Sequence, residues 1–200
     1  MSYTRSFCEG IIKSKQKGWI KGNVIELGNN KFHTAQIEPY LKAIDPSIMT
    51  CKGAQQLWLQ AGAQSYVVVE DEADVPDIKY DVVVNQAWLE ERFDVCEVLR
   101  KTHSTLKVGG FMFTNLPIGL SVGYHSYTLN FWQKFCKDNN YEVRYCQVSD
   151  EMGNYPILVS MASPYTFTKL KDVLYKFRET WTLRMTIVIQ KKDDNELKLK

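Results

Sequence analysis

The sequence lacks the cysteine, histidine and hydrophobic patterns that mark several protein classes. Its five cysteines include no C-x-x-C pair and have no nearby histidine, so neither a disulfide framework nor a zinc site is expected. No apolar run approaches the roughly 20 residues of a membrane span, and the first residues are too polar for a signal peptide. The sequence therefore predicts a soluble cytoplasmic protein with reduced thiols, no metal site and no membrane association.

An excess of charge of one sign is also missing. Lys and Arg number 25 against 23 Asp and Glu, for a formal net charge of +2, so no global field would recruit nucleic acid or an acidic membrane. A basic N-terminal stretch contains Lys13, Lys15, Lys17 and Lys21, and a solvated face explains it better than phosphate contacts do. Nucleic acid is therefore not an expected partner, although the total charge leaves a local basic patch open.

Length and composition indicate one globular domain. The chain has 200 residues, of which 44% are hydrophobic and 24% charged, and it contains no internal repeat and no low-complexity linker. Residues 1–21 are predicted to be an N-terminal helical extension with a helix over 5–17. Residues 192–200 are predicted to be a frayed tail. Residues 31–47 contain two prolines and are predicted to be a loop.

Short apolar runs alternate with amphipathic segments along the rest of the chain. Strands are predicted at 24–27, 65–70, 80–85, 111–117, 141–148, 155–161 and 181–192, with Pro117 ending the fourth. Helices are predicted at 51–62, 89–106, 126–140 and 167–180, and Ser126 or Thr128 would cap the third. This alternation predicts an α/β protein with a mostly parallel central sheet and helices on both faces.

Polar residues or glycine stand at the ends of the first three predicted strands. They are Glu26, Gly28 and Asn29 in the first group, Glu70 and Asp71 in the second, and Asn85 and Gln86 in the third. Ligands of open α/β sheets bind beyond the carboxyl ends of the strands. The three groups therefore predict one ligand site at that edge of the sheet.

The order of these motifs resembles that of class I S-adenosylmethionine-dependent methyltransferases. "NVIELGNN", a helix, a strand ending in acid, "YDVVVN" and "KVGGFMFTNLP" carry the likeness, which covers roughly residues 22 to 145. Small methyltransferase-like proteins of this kind are common in phage and bacterial sequences. The resemblance implies a Rossmann-like methyltransferase fold, S-adenosylmethionine as cofactor, and a location in the cytoplasm, or in a virion if the protein is phage-encoded.

Two departures from the family pattern bear on the expected structure. The glycine-rich loop is reduced to "GNNKF", a degenerate form that brings Lys31 and Phe32 where small residues are usual. The stretch between Glu70 and Tyr80 is too short for the helix and strand that methyltransferases usually have there. The sheet is therefore expected to be reduced by one β/α unit.

The resemblance also implies which residues hold the cofactor. Gly28 and Asn29 would let the backbone approach the cofactor, because glycine has no Cβ. Glu26 would face the methionine ammonium. Glu70 would accept hydrogen bonds from the ribose hydroxyls, with Asp71 as a stand-in.

The same resemblance implies which residues lie near the transferred methyl group. Asn85 and Gln86 would bind the cofactor and line the floor where donor and acceptor meet, and Asn85 and His125 are the expected catalytic residues. His125 would take a proton from an acceptor hydroxyl. Methyl transfer depends mostly on positioning, so the lack of a catalytic triad is compatible with this chemistry.

Two classes of function remain open from the sequence. In the first, the protein is a methyltransferase for a small polar acceptor of the sugar or nucleotide type. In the second, the fold has lost its cofactor and serves as a binding, assembly or virion subunit, or as a regulator of another methyltransferase. The expected partners are accordingly a small-molecule acceptor, another protein or a second copy of the chain.

Overall fold

A computed structural model describes residues 3–28, 53–86, 88–118, 127–150, 157–158 and 183–199. Asn29 and His125 lie outside these residues, as do the predicted loop at 31–47 and the predicted helix at 167–180. Within the described residues no helix is long and apolar enough to span a membrane.

The strands of the described residues form one seven-stranded sheet. They are β1 (Asn23–Leu27), β2 (Ser65–Val69), β3 (Tyr80–Gln86), β4 (Leu106–Ile118), β5 (Tyr141–Asp150), β6 (Ile157–Leu158) and β7 (Leu183–Lys191), in the order β2-β1-β3-β4-β7-β5-β6. The pairs β1–β2, β1–β3 and β3–β4 are parallel, whereas β7 is antiparallel to both β4 and β5, and β6 is antiparallel to β5. Five strands thus share one direction, and the predicted mostly parallel sheet is confirmed.

Helices cover both faces of the sheet, as predicted. The described helices are α1 (Arg5–Gln16), α2 (Ala54–Gln60), α3 (Trp88–Glu91), α4 (Val95–Thr105) and α5 (Leu129–Asp138). One core cluster joins α1 and α2 to Val24, Val82 and Val84 of the sheet. The other joins α3, α4 and α5 to Ile25 and Val83. Successive strand residues point to opposite faces, so β1 and β3 contribute to both clusters.

The N-terminal helix belongs to the core. Phe7, Ile11 and Ile12 are fully buried in the α1–α2 cluster. The Thr4 hydroxyl accepts a hydrogen bond from the backbone N–H of Phe7 at 3.2 Å, which caps the helix. The helix predicted at 5–17 is therefore present, and its apolar face packs on the sheet.

The predicted helix at 89–106 is divided in two, and this prediction was wrong in its bounds. Helix α3 ends at Glu91, and Asp94 begins α4 by accepting a hydrogen bond from the N–H of Glu97 at 3.0 Å. An aspartate at this position competes with a continuous helix, because its side chain satisfies a free backbone donor. Sequence periodicity across 89–106 hides this break.

Strand β4 is longer than predicted at both ends. It starts at Leu106, directly after α4, so Gly109 and Gly110 lie within the strand. It also passes through Pro117, which pairs with Arg184 of β7. The pairing of β4 with β3 stops at Asn115. The carbonyl oxygen of Pro117 accepts from the N–H of Tyr127 at 3.5 Å, so this residue faces away from β7 and its missing N–H removes no bond to that strand.

The connection from β2 to β3 contains one 3₁₀ turn, Glu72–Asp74, and no strand. Strand β2 is consequently the edge of the described sheet. The expected reduction by one β/α unit is therefore confirmed.

The C-terminal tail has neither helix nor strand over 192–199, yet it is held against the domain. The backbone N–H of Lys198 donates to Oδ1 of Asn139 at 2.6 Å, and Leu197 and Leu199 pack against the core. The structure thus differs from the frayed tail predicted for 192–200. Most residues of this stretch are charged or polar, so the sequence gives little sign that its two leucines bury apolar surface.

Candidate ligand site at the carboxyl ends of the first three strands

The structure brings together the ends of β1, β2 and β3. Leu27 is in register with Val69 of β2 and with Asn85 of β3. The N–H of Gly28 donates to the carbonyl oxygen of Val69 at 2.8 Å. Gly28, Glu70 and Asn85 thus lie together at the carboxyl ends of β1, β2 and β3, and we call this place the strand-end site.

Gly28 has a backbone conformation and a contact that both require glycine. Its φ of +105° lies in the region that side chains with a Cβ rarely adopt. A Cβ added here would lie 2.6 Å from Cδ1 and 3.0 Å from Nε1 of Trp88. The indole therefore occupies the space that the missing side chain leaves.

Trp88 is in turn covered by Arg92. The guanidinium carbon of Arg92 lies 5.0 Å from the centre of the Trp88 ring, within the range of a cation–π contact. Nη2 of Arg92 also donates to the backbone oxygen of Glu70 at 3.2 Å. Trp88 is only 3% exposed. Arg92 thereby joins the start of the β2–β3 connection to the indole over Gly28.

Glu26 is enclosed on the α1–α2 face of the sheet. Its side chain is 1% exposed, and Oε2 accepts hydrogen bonds from the hydroxyls of both Tyr3 and Tyr66. Nε1 of Trp58 donates to the Tyr3 hydroxyl at 2.9 Å. The carboxylate is therefore satisfied by phenols from the N-terminus and from β2, which compensates for its burial.

These phenols are held in their protonated form. Burial, followed by the negative charge of Glu26, raises the pKa of Tyr3 well above its usual value. The same two causes raise the pKa of Tyr66. Both hydroxyls thus remain hydrogen-bond donors to the carboxylate at neutral pH.

Asn85 lies inside the domain. Its side chain is fully buried, and Nδ2 donates to Oγ1 of Thr102 of α4 at 3.1 Å. The backbone oxygen of Asn85 accepts from the Thr114 hydroxyl at 2.9 Å. Its Oδ1 has no hydrogen-bond partner among the described residues, although it is buried. The side chain ties β3 to α4, and Gln86 follows as the last residue of the strand.

Glu70 and Asp71 are exposed at the end of β2. Oδ1 of Asp71 accepts from the N–H of Ala73 at 3.0 Å, which stabilises the 3₁₀ turn. A polar groove of about 590 Å³ begins at Asp71 and runs along α4 past Glu97, Arg100, Lys101 and Ser104. The groove therefore starts one residue after Glu70.

The residues that close the strand-end site were not predicted from the sequence. Trp88 is buried, and no pattern in the sequence indicates its contact with Gly28. Tyr3, Tyr66 and Arg92 were not recognised. The signal available for Arg92 was its position four residues after Trp88, a spacing at which side chains meet on one helical turn.

The described residues fit the ribose of the implied cofactor but not its methionine ammonium group. Glu70 offers an exposed carboxylate of the type that accepts hydrogen bonds from ribose hydroxyls. Glu26, in contrast, is enclosed by two phenols and presents no open face to an ammonium group. The space beside the Gly28 backbone, where the cofactor would approach, is filled by the indole of Trp88. The role implied for Glu26 stays a prediction that would require the phenols to release it.

The parallel strands β2-β1-β3-β4, the antiparallel strand β7 beside β4, and the helices on both faces define a class I methyltransferase fold. A protein of Galdieria sulphuraria, described as a candidate sarcosine dimethylglycine methyltransferase, shares it. The two structures match with a TM-score of 0.51 and 14% identity over 94% of this chain and 86% of the other. The predicted Rossmann-like methyltransferase fold is thereby confirmed.

A second solved structure shows how far this likeness reaches. The [4+2]-cyclase SpnF matches with a TM-score of 0.50 and 9% identity over 94% of this chain and 80% of its own. No protein-family model matches the sequence, and no curated protein matches it either. One fold thus accommodates a methyltransferase and a cyclase, so the reaction has to be argued from the site.

Proposed function

We propose that this protein is an S-adenosylmethionine-dependent methyltransferase that acts on a small polar acceptor of the sugar or nucleotide type. One observation carries the proposal: the exposed carboxylate of Glu70 stands at the carboxyl end of β2, beside Gly28, on a methyltransferase fold. In such sheets this is the edge at which ligands bind.

The residues of the site have distinct tasks in this proposal. When bound, the cofactor supplies a methyl group that is already activated by its positive sulfonium. Glu70 would hold the ribose hydroxyls, and the backbone of Gly28 and Asn29 would support the rest of the cofactor once the indole of Trp88 is displaced. Asn85 would act as a positioning residue, because it fixes the end of β3 against α4 through Thr102.

The acceptor would be oriented in the groove that begins at Asp71 and extends along α4 towards the start of β4. The groove between Asp71 and α4 offers both acidic and basic side chains, which suits a polar ligand better than an apolar one. His125 would take a proton from an acceptor hydroxyl, a task for which histidine is suited near neutral pH. Gln86, directly after Asn85, would contribute to the floor between donor and acceptor.

Calorimetric titration with S-adenosylmethionine and S-adenosylhomocysteine tests the proposal. We expect a dissociation constant on the order of micromolar, equivalent to about −8 kcal/mol. Glu70→Ala should weaken binding about tenfold or more, because hydrogen bonds to a charged group are lost. Asp74→Ala is the matched control, since it removes another exposed carboxylate of the same connection.

A role without cofactor is the second candidate, and one observation favours it. Glu26 and Gly28, two of the implied cofactor contacts, are engaged by tyrosines and by Trp88. A protein of this kind would serve as a binding or assembly subunit on an unchanged fold. The absence of binding heat at millimolar cofactor, with the protein folded by circular dichroism, would select this candidate and overturn the first.

A further inference from the structure

We propose that a second copy of this chain pairs antiparallel with the open edge of β2 and extends the sheet across a two-fold axis. Strand β2 pairs with β1 on one side, and no described strand pairs with its other side. The connection that follows β2 contains only the 3₁₀ turn. Among the described residues this edge therefore has no strand partner, and unpaired backbone groups of this kind are a template for another strand.

The side chains of this edge are apolar and exposed. Val67 and Val68, on opposite faces of β2, are 39% and 45% exposed. Proteins usually protect an edge strand with lysine, proline or a bulge. The sequence SYVVV contains none of these residues, and its register with β1 is regular. The edge is therefore suited to pairing.

Backbone geometry restricts the possible registers to those in which outward-facing residues of the two copies lie opposite each other, and we place the two-fold axis at Val67. The carbonyl oxygen of Val69 faces β1, since it accepts from the N–H of Gly28. Alternate residues face the same side, so Val67 also faces β1, whereas Tyr66 and Val68 face outward. A two-fold axis at Val67 would then place Tyr66 opposite Val68 of the partner. The two-fold axis gives two such Tyr66–Val68 pairs. In each, the two residues can exchange two backbone hydrogen bonds, and their side chains form a favourable aromatic–β-branched contact.

Charge distribution selects the antiparallel direction and the second copy as occupant. The carboxyl end of β2 runs into exposed acids, Glu70, Asp71 and Asp74. The amino end adjoins Lys21, because Gln64 donates to the carbonyl oxygen of Gly22 at 2.7 Å. Antiparallel pairing of two copies brings the acids of each copy towards the lysine of the other. Parallel pairing would bring like charges together.

The first test is the mass of the full-length protein by light scattering and sedimentation velocity over a wide range of concentrations. We expect a concentration-dependent species of twice the 23.2 kDa of one chain. Val68→Lys should raise the dissociation constant of this dimer about tenfold or more, because it puts a charge into the paired edge. Val108→Lys is the matched control, since Val108 is 55% exposed on β4 and remote from β2.

Hydrogen exchange locates the interface independently of the variants. The amides of Tyr66 and Val68 should exchange more slowly as the protein concentration rises, whereas that of Val67, which faces β1, should not change. A strict monomer, a stoichiometry other than two, or equal effects of Val68→Lys and Val108→Lys in folded protein would each overturn the proposal. The outcome does not depend on whether the protein binds a cofactor.

Discussion

The indole of Trp88 packs against Gly28 so closely that no side chain fits at residue 28. A Cβ there would lie 2.6 Å from Cδ1 of Trp88, far inside a normal contact distance. Gly28, which belongs to a cofactor-like loop in the sequence, is thus also required for packing, because it leaves room for the indole. Any ligand that approaches the loop backbone on this side has to displace the indole.

Gly28→Ala should therefore lower the free energy of unfolding by about 1–3 kcal/mol, through overpacking and an unfavourable φ. The steric part should be smaller in a Trp88→Ala background, giving a coupling energy of about 0.5–2 kcal/mol in urea denaturation. Gly109→Ala is the matched control, because Gly109 also has a positive φ but no atom within 4 Å of the added Cβ. Equal losses in both backgrounds would contradict the contact.

Removing one phenol from Glu26 should weaken the N-terminal half of the domain. Tyr66→Phe deletes a donor to a buried carboxylate and should cost about 1–3 kcal/mol of unfolding free energy. Tyr80→Phe removes a hydroxyl away from Glu26 and should cost less. Denaturant titration of the two variants at neutral pH compares these costs directly.

The raised pKa of Tyr66 also predicts a dependence on alkaline pH. The unfolded chain releases the phenol proton above about pH 10, whereas the folded protein retains it. The folded state then binds more protons, so the unfolding free energy falls as the pH rises from about 10. Tyr66→Phe should reduce this slope relative to wild type. An unchanged slope would mean that the phenol ionises equally in both states.

Lys191 is expected to be the most costly lysine to replace in the described chain. It is fully buried, and its ammonium donates to the backbone oxygens of His103 and Leu106 at 2.7 and 3.0 Å and to Asp194. Lys191→Met should cost about 2–4 kcal/mol, because it leaves the carbonyl groups at the end of α4 without a donor. Lys192→Met, at an exposed position, should cost about 1 kcal/mol or less.

The same cluster predicts behaviour in acid. Hydrogen bonds from Lys191 and Lys79 lower the pKa of Asp194 to about 2. The stability that this carboxylate contributes is present above about pH 4 and is lost as the pH falls through about 2. Lys191→Met should flatten this part of the pH profile, as measured by thermal unfolding. An identical acid profile would show that Asp194 is held by other groups.

The sequence predicts correctly those features that depend only on where each strand lies. The alternation of apolar runs located all strands of the described sheet, and polar strand ends identified Gly28, Glu70 and Asn85 as neighbours. Their proximity follows from parallel strands alone, because the carboxyl ends of such strands meet at one edge. The layers of an α/β fold and the residues at its strand ends can therefore be predicted from patterns of hydrophobicity.

The contacts within the site depend on residues far apart in the chain. Glu26 meets Tyr3 and Tyr66, which are 23 and 40 residues away, and no local pattern encodes that meeting. The break before Asp94 has no signal in the sequence for another reason: the apolar spacing continues across it, and only the capping hydrogen bond marks it. Side-chain partners and short interruptions thus need three-dimensional information.

Cys96 should be the fast-reacting thiol among the cysteines that the structure describes. It is exposed, whereas Cys8, Cys136 and Cys146 are buried, and burial raises the pKa of Cys136 to about 12 and also raises that of Cys146. A buried neutral thiol reacts slowly, because the thiolate is the nucleophile. Brief alkylation of the folded protein, followed by peptide mass mapping, should label Cys96 and leave the three buried cysteines unmodified. Cys96→Ser should abolish that label, and rapid labelling of Cys136 or Cys146 in folded protein would contradict the packing of α5 against β5.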